Sequence, residues 1–373
     1  MRGKKSLVIA AVLVLPFAAC VCHSGQYVEE FVRATIGMIG WDTHLKANMS
    51  AKLNQICADP ELPREVERCH PNAEIPRTVI VVGESATRRH WHLYGYPHRT
   101  TDAIESVRNE LVVFQDVNAA ASTTFPALRL LMTCASVEHP DDFKYTFSSV
   151  AKRAGLRTAF YTMCQRWGGG VGSVSVLFNG CDEIVHLNEA LGSEFKGYDG
   201  ELLPYLRRGL EKFDLQFLHT VGSHYPFGCH VPADYAKSKF SASKTEAYDR
   251  SVDYTDWFLG EVIAELKKST KPAMMIYLSD HGETPEAASW RDVTDLSCWE
   301  VPMIVWFSES YRRKFPENVA LAETASGKPL RSDELLHGLL RLCGIKPMSE
   351  EMDFLSEGFV SRRVTGGCRA NSK

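Results

Sequence analysis

The sequence predicts an α/β protein with a mostly parallel central sheet flanked by helices. Short apolar segments alternate with helical patterns along most of the chain. Most of these segments are apolar at successive positions, which is typical of strands covered on both faces. Composition agrees with this class, because 45% of the 373 residues are hydrophobic and 24% are charged, as in an ordinary globular protein.

Five segments have the length and composition of buried strands, and helical patterns lie between them. One helix is predicted over 246–268, where apolar residues keep helical spacing. A second is predicted over 333–343, because Gly344 follows at the position that a helix C-cap favours. The predicted strands cover residues 78–82, 157–162, 213–219, 273–278 and 301–307.

Charge and hydropathy exclude two classes of function. The 42 basic residues are balanced by 46 acidic ones, which gives a net charge of −4 and no overall basic surface for nucleic acid. The mean hydropathy of −0.18 excludes a protein that crosses the membrane many times, since each span needs about 20 apolar residues.

The N-terminus has the pattern of an export signal. Arg2, Lys4 and Lys5 precede an apolar run over 7–21 that has small residues near its end, so residues 1–25 are predicted to be a signal peptide or signal anchor. Cys20 leaves lipidation open as an alternative. Residues 26–75 are predicted as a linker segment, 76–350 as the catalytic domain and 351–373 as a C-terminal tail.

The cysteine content agrees with export, because eleven cysteines are more usual in an oxidising compartment than in the cytosol. Nine lie beyond the predicted signal segment, an odd number that leaves at least one thiol free or intermolecular. Proximity in sequence favours disulfides between Cys57 and Cys69 and between Cys164 and Cys181.

Acidic and imidazole side chains follow three of the predicted strands. Glu84 follows the first, His219 ends the third and His224 follows it, and Asp280 and His281 follow the fourth. Ligands bind beyond the carboxyl ends of parallel strands, so these side chains are expected at one edge of the sheet. Two carboxylates and an imidazole suit Zn²⁺ or Mn²⁺ better than Ca²⁺. The alternative is that these residues only form polar turns.

A hydroxyl nucleophile is predicted at the start of a helix. The segment from Ser122 to Pro126 precedes an apolar helical run over 127–132. Proline near a first turn marks a helix start, and the N–H groups there favour an anionic group. Simple helix capping by Ser122, Thr123 or Thr124 is the alternative.

Five motifs occur in order over about 76–345. They are Gly83-Glu84-Ser85, the run 93–101 with Leu93-Tyr94-Gly95-Tyr96-Pro97, His219 with Gly222-Ser223-His224, Tyr248-Asp249 with Thr255-Asp256, and 279–283. Together they resemble the motifs of the phosphoethanolamine transferases of Gram-negative envelopes, which belong to the alkaline phosphatase/sulfatase superfamily. The chain differs from that family in having a single N-terminal apolar segment instead of a multi-helix membrane domain.

The resemblance implies an alkaline phosphatase/sulfatase-like fold and assigns roles to particular residues. Glu84, Asp280, His281 and one threonine would bind zinc, and the threonine would carry the phosphoethanolamine. Superfamily spacing places this nucleophile nine residues before Thr133, at Thr124, with Thr123 as the alternative. The substrate contacts implied are His224, His219 and Gln165.

The function implied is zinc-dependent transfer of phosphoethanolamine from phosphatidylethanolamine to an envelope acceptor, through a phosphorylated threonine. The acceptor would be lipopolysaccharide core, lipid A or a glucan, and the enzyme would work at the periplasmic face of the inner membrane. Zinc is preferred to manganese, and a second divalent metal is left open. The alternatives are a phosphodiester or sulfate-ester hydrolase of the same superfamily and a catalytically silent binding module.

Overall fold

The structure is a computed structural model of the chain, and it describes residues 51–58, 60–164, 174–187, 197–236, 239–240, 243–287 and 291–362. The predicted signal segment 1–25 lies outside these residues, as does Gln165. Within the described part of the chain, no helix combines the length and the apolar composition that a membrane crossing requires.

Nine strands form two sheets within the described residues. The larger sheet has seven strands in the order β2-β8-β7-β1-β6-β4-β5, and β3 and β9 form a separate parallel pair. The strands are β1 (Arg77–Gly83), β2 (Leu111–Phe114), β3 (Asp116–Asn118), β4 (Thr158–Thr162), β5 (Glu183–His186), β6 (Leu215–His219), β7 (Ala273–Ser279), β8 (Met303–Phe307) and β9 (Pro329–Arg331).

The centre of the large sheet is parallel and one edge is antiparallel. Strands β5, β4, β6, β1 and β7 run parallel to one another, whereas β8 runs antiparallel to both β7 and β2. Val82 pairs with His219, and Gly83 pairs with Ser279. This register brings the carboxyl ends of β1, β6 and β7 to the same level, as the sequence predicts.

Helices cover the sheet, and the longest, of 24 residues, packs its apolar side into the core around Phe258 and Leu259. Its start is fixed by Ser243, whose hydroxyl accepts a hydrogen bond from Glu246 N–H. The flanking and connecting α-helices include α1 (Asp102–Glu105), α2 (Thr124–Met132), α3 (Phe147–Arg153), α4 (Leu203–Leu210), α5 (Lys244–Lys267), α6 (Glu309–Lys314), α7 (Pro316–Ala325) and α8 (Leu336–Leu342).

The predicted α/β class is confirmed, and the five predicted strands correspond to β1, β4, β6, β7 and β8. Four short strands were not predicted. Each of them has only three or four residues and is partly exposed, so it is shorter and less buried than the five predicted strands. The helix predicted over 333–343 is divided into a 3-10 turn (Ser332–Glu334) and α8, and Gly344 follows with a φ of +80°.

Candidate active site

Three ionisable side chains meet beyond the ends of β1 and β7. Glu84 follows β1 directly, and Asp280 and His281 follow β7. One potential ligand atom from each lies within 4.8 Å of the others, and all three residues are buried. His281 Nε2 is 3.3 Å from Glu84 Oε1 and 3.4 Å from Asp280 Oδ2. The parallel register therefore produces the cluster that the strand ends predict.

Backbone hydrogen bonds orient two members of the cluster, Asp280 and His281. Asp280 Oδ1 accepts hydrogen bonds from Ser85 N–H at 3.0 Å and His281 N–H at 2.7 Å, whereas its buried Oδ2 has no hydrogen-bond partner among the residues that the structure describes. His281 Nδ1 lies 2.8 Å from the carbonyl of Gly282, to which it donates, so Nε2 is left to face the carboxylates. Gly282 is required here, because a Cβ would lie 1.8 Å from Ser297 O.

The electrostatics of the cluster favour a bound cation. Burial and the charge of Glu84 raise the pKa of Asp280 to about 7. Burial opposes ionisation of Glu84, but His281, when it is protonated, holds the pKa of Glu84 well below its ordinary value through its hydrogen bond and charge. Two buried carboxylates with oxygens within 4.8 Å of each other repel, and a positive ion would offset that repulsion.

Thr124 lies at the same cluster. It is the first residue of α2, and its Oγ1 donates a hydrogen bond of 3.0 Å to Glu84 Oε2 and lies 3.3 Å from His281 Nε2. Thr123 is the N-cap residue, and its side chain makes no capping hydrogen bond. Of the two threonines that the sequence leaves open, the structure brings Thr124 into contact with the predicted ligands.

The donor set fits a zinc ion. Two carboxylates, an imidazole nitrogen and a hydroxyl are ligand types that zinc accepts, and the unpartnered Oδ2 of buried Asp280 is an atom that a cation would satisfy. The tautomer of His281 set by Gly282 also presents the correct nitrogen for a metal.

The loop after β6 packs directly on Glu84. Ser223 N–H donates to the Glu84 carbonyl at 3.0 Å. Gly222 has a φ of +51°, and a Cβ there would lie 2.8 Å from the same carbonyl oxygen. His224 is half-buried on this loop, with Nδ1 2.6 Å from Tyr225 O, and its charge contributes to the lowered pKa of Glu84. His219 is fully buried, and its Nδ1 is hydrogen-bonded to Thr162 Oγ1 at 2.9 Å.

Asp199 holds this loop and was not found from sequence. Its two carboxylate oxygens accept hydrogen bonds from Val221 N–H and Gly222 N–H at 2.8 and 3.0 Å. Burial raises the pKa of Asp199 to about 6. A single aspartate in a Tyr-Asp-Gly stretch carries no sequence signal for this role, because its partners lie more than 20 residues away.

A buried ion pair supports the nucleophile segment and was also not predicted. Glu283 and Arg291 form hydrogen bonds of 3.0–3.3 Å, and the Glu283 side chain is fully buried. Arg291 also donates to the carbonyl of Ser122 at 2.5 Å. The pair therefore connects the segment after β7 to the residues just before Thr124.

A cluster of charged side chains around His90 lies beside the site. His90 lies 2.6 Å from Asp249 Oδ1 and 2.8 Å from Glu286 Oε1. Burial opposes the charge, but these two carboxylates raise the pKa of His90 to about 9. The adjacent Tyr248 hydroxyl donates to the carbonyl of Ser85 at 2.8 Å, so this cluster is connected to the residue next to Glu84.

The disulfides expected from sequence proximity are not present, because all eight cysteines among the described residues are free thiols. The sulfur of Cys57 lies against the turn before Cys181, and Cys69 hydrogen-bonds to Gly344. Proximity in sequence therefore selected different partners from those that the fold brings near.

The large sheet flanked by helices gives the chain an α/β fold like that of alkaline phosphatase superfamily proteins. A protein in that superfamily from Vibrio parahaemolyticus superposes with a TM-score of 0.56 over 82% of this chain and 80% of its own, at 16% identity. Residues 76–345 match the sulfatase family. The chain belongs to that family, which confirms the resemblance found in its motifs.

Two curated relatives are phosphoethanolamine transferases. EptC of Escherichia coli (strain K12) is 26% identical over 271 residues, which cover 65% of this chain and 47% of EptC. EptA of Helicobacter pylori is 26% identical over 298 residues, covering 72% of this chain and 54% of EptA. The chain thus spans about half the length of these relatives.

The fold matches that of a solved domain from one of these relatives. The C-terminal periplasmic domain of EptC from Escherichia coli, solved as a complex with Zn, superposes with a TM-score of 0.70 at 23% identity. The match covers 80% of this chain and 92% of that domain. The predicted sulfatase-like architecture is therefore confirmed.

Proposed function

We propose that this chain is a zinc-dependent transferase that moves phosphoethanolamine from phosphatidylethanolamine to an envelope acceptor through a phosphorylated threonine. The observation that carries the proposal is the position of the Thr124 hydroxyl, 3.0 Å from Glu84 and 3.3 Å from His281 within a buried ligand cluster. The names of the curated relatives support the transferred group, and the zinc complex of the solved domain supports the metal.

Four residues would hold one zinc ion: Glu84, Thr124, Asp280 and His281. When bound, zinc supplies a positive charge that makes the threonine hydroxyl more acidic and balances the two carboxylates. A second divalent metal would need further ligands, and among the described residues the cluster of ionisable ligands at this edge is limited to Glu84, Asp280 and His281.

The chain's own residues position the nucleophile and its proton. Helix α2 fixes Thr124 at its first position, and Glu84 Oε2 accepts the hydrogen bond of the hydroxyl, so the proton is held at a defined atom during attack. The N–H groups at the start of α2 favour the anionic phosphoryl group. His224 and Gln165 are the proposed substrate contacts. The buried His219 ends β6 and would support the loop that carries His224.

The reaction proceeds in two transfers. Thr124 Oγ1 forms a bond to phosphorus while the bond to the diacylglycerol oxygen breaks, and diacylglycerol leaves with a proton. An acceptor hydroxyl on lipopolysaccharide core, lipid A or a glucan then takes the phosphoethanolamine and regenerates threonine. We place this reaction at the periplasmic face of the inner membrane, in agreement with the predicted N-terminal signal and the periplasmic domain of the solved relative.

The test is to trap the covalent intermediate. Purified full chain with zinc is incubated with phosphatidylethanolamine in detergent micelles, and its peptides are analysed by mass spectrometry. A phosphoethanolamine adduct is expected on Thr124, retained in Thr123→Ala and absent from Thr124→Ala. An adduct on Thr123 would contradict the assignment, and release of free phosphoethanolamine with no transfer to an added acceptor would favour the hydrolase instead.

A further inference from the structure

Two cysteines that precede β1 each lie beside a cysteine that is distant in sequence. Cys57 is in a short helix over 51–58, and Cys69 lies eight residues before the first residue of β1. Their neighbours are Cys181, two residues before β5, and Cys343, at the C-cap of α8. In each of the two pairs, Cys57 with Cys181 and Cys69 with Cys343, the first cysteine is partly exposed and the second is buried.

The sulfur of Cys57 is held against the turn that carries Cys181. It donates to the Val176 carbonyl at 3.4 Å, and the backbone N–H groups of Asn179 and Gly180 lie close enough to oppose the rise that burial causes in the pKa of the thiol. The residue after Gly180 is Cys181, whose own N–H donates to Phe178 O at 2.8 Å. One helical turn before Cys57, Asn54 also accepts a hydrogen bond from the Asn179 side chain at 2.6 Å.

Cys69 and Cys343 meet through a short antiparallel contact. Arg68 forms a bridge pair with Ile345, and Cys69 N–H donates to the Gly344 carbonyl at 2.9 Å. Cys343 immediately precedes this glycine, and the Tyr311 hydroxyl that donates to Leu342 O lies near both thiols. Burial, with an added contribution from the Cys69 thiolate, raises the pKa of Cys343 to about 12.

We propose that Cys57–Cys181 and Cys69–Cys343 are disulfides in the exported protein, and that they fasten the segment over 57–69 to the catalytic domain. A disulfide needs Cα atoms about 4.4–6.8 Å apart. The contacts support this pairing, because Cys57 Sγ lies against the turn next to Cys181 and Cys69 N–H bonds to the residue next to Cys343. The two bonds would close loops of more than about 100 residues, so they would restrict the unfolded chain strongly. Such bonds are favoured in an oxidising compartment.

Each bond forms by two exchange steps. The thiolate of the more exposed residue, Cys57 or Cys69, attacks a disulfide oxidant and releases one thiol from it. The buried partner then attacks the mixed disulfide as a thiolate and releases the second thiol. The two cysteines lose two electrons and two protons, and one oxidant disulfide is reduced to two thiols.

The test is a disulfide map of the full chain. The protein is oxidised with glutathione disulfide until its thiol count is constant, denatured with excess N-ethylmaleimide, digested with trypsin and analysed without reduction. Cleavage after Arg64 or Arg68 separates Cys57 from Cys69, and cleavage after Arg166 separates Cys164 from Cys181. Each couple can therefore be identified separately.

The expected result is two linked peptide pairs, 57–181 and 69–343, with Cys164 and Cys298 modified by maleimide. Cys57→Ser should leave Cys181 open to maleimide and keep the 69–343 link. The matched control is Cys229→Ser at an exposed cysteine, which should change neither link. Maleimide on all four residues, or linkage of 57 to 69 or of 164 to 181, would overturn the proposal.

Discussion

Replacing Arg291 by methionine tests whether the buried ion pair supports the site. Its guanidinium makes hydrogen bonds of 3.0–3.3 Å to Glu283, whose side chain has no exposure, while the Arg291 side chain is 10% exposed. Methionine keeps much of the apolar volume of arginine but removes the charge. Glu283 would then be a buried carboxylate without its partner.

The expected loss is large because an uncompensated buried charge costs about 3–5 kcal/mol of unfolding free energy. With a urea m-value of about 3 kcal/mol/M, the midpoint of unfolding should fall by about 1–2 M. The double variant Glu283→Gln with Arg291→Met should recover at least about 2 kcal/mol, because it removes the stranded charge. Thr284 N–H, which donates to the Glu283 carboxylate in the native chain, could still donate to the amide oxygen of the new glutamine.

Urea unfolding followed by circular dichroism, in one buffer with zinc, measures these differences. The matched control is Arg313→Met, because Arg313 pairs with Glu309 at the surface, where both side chains are at least 67% exposed. This control should lose less than about 1 kcal/mol. If Arg291→Met behaves like the control, or if the double variant is no more stable than the single one, the argument from the buried charge is wrong.

Three further predictions concern the metal, the pH dependence of stability and the loop after β6. His281→Ala should lose most of its bound zinc by elemental analysis, whereas the exposed-site variant His98→Ala should retain it; equal zinc in both would refute the ligand assignment. The pKa of His90 rises from its ordinary 6.5 to about 9 on folding, so its stabilising effect is full below about pH 6.5 and is lost as the pH rises through 9. The difference in unfolding free energy between wild type and His90→Gln should therefore be largest near about pH 6 and smaller near about pH 10, and a constant difference would contradict this. Gly222→Ala should reduce the proposed transferase activity at least about tenfold, because the new Cβ would lie 2.8 Å from Glu84 O at a φ of +51°. Unchanged turnover would contradict the inference that this close packing of the loop positions Glu84.

The central strands and the longest helix could be predicted because their signals are local. Residues 78–82 and 273–278 are apolar at successive positions, and such segments can be stable only when both faces are covered. Polar residues directly after them, Glu84 and Asp280, then fall at the carboxyl edge by the rules of parallel sheets. The strand β8 was also predicted from its apolar run, but its antiparallel direction and its pairing with β2 leave no comparable local pattern.

The set of ligands could be named from sequence, but its geometry could not. A motif identifies Asp280 and His281 as neighbours in the chain without showing how adjacent side chains reach one point. The structure does so through the Gly282 carbonyl, which orients His281, and through two N–H groups that occupy one oxygen of Asp280. The choice between Thr123 and Thr124 as the residue in contact with Glu84 likewise depends on where α2 begins.

Local patterns were enough to predict the fold class, the main strands and the residues that converge at the sheet edge, because periodicity and strand-end motifs are encoded over a few residues. The contacts that join distant segments became visible only in the folded chain: the Asp199 hydrogen bonds to the loop after β6, the pairing of Glu283 with Arg291 and its reach to Ser122, and the neighbours of each cysteine. Glu283 and Arg291 are eight residues apart, and the other contacts arise from packing between segments tens to hundreds of residues apart. A single sequence contains no local pattern that records which of these side chains will meet.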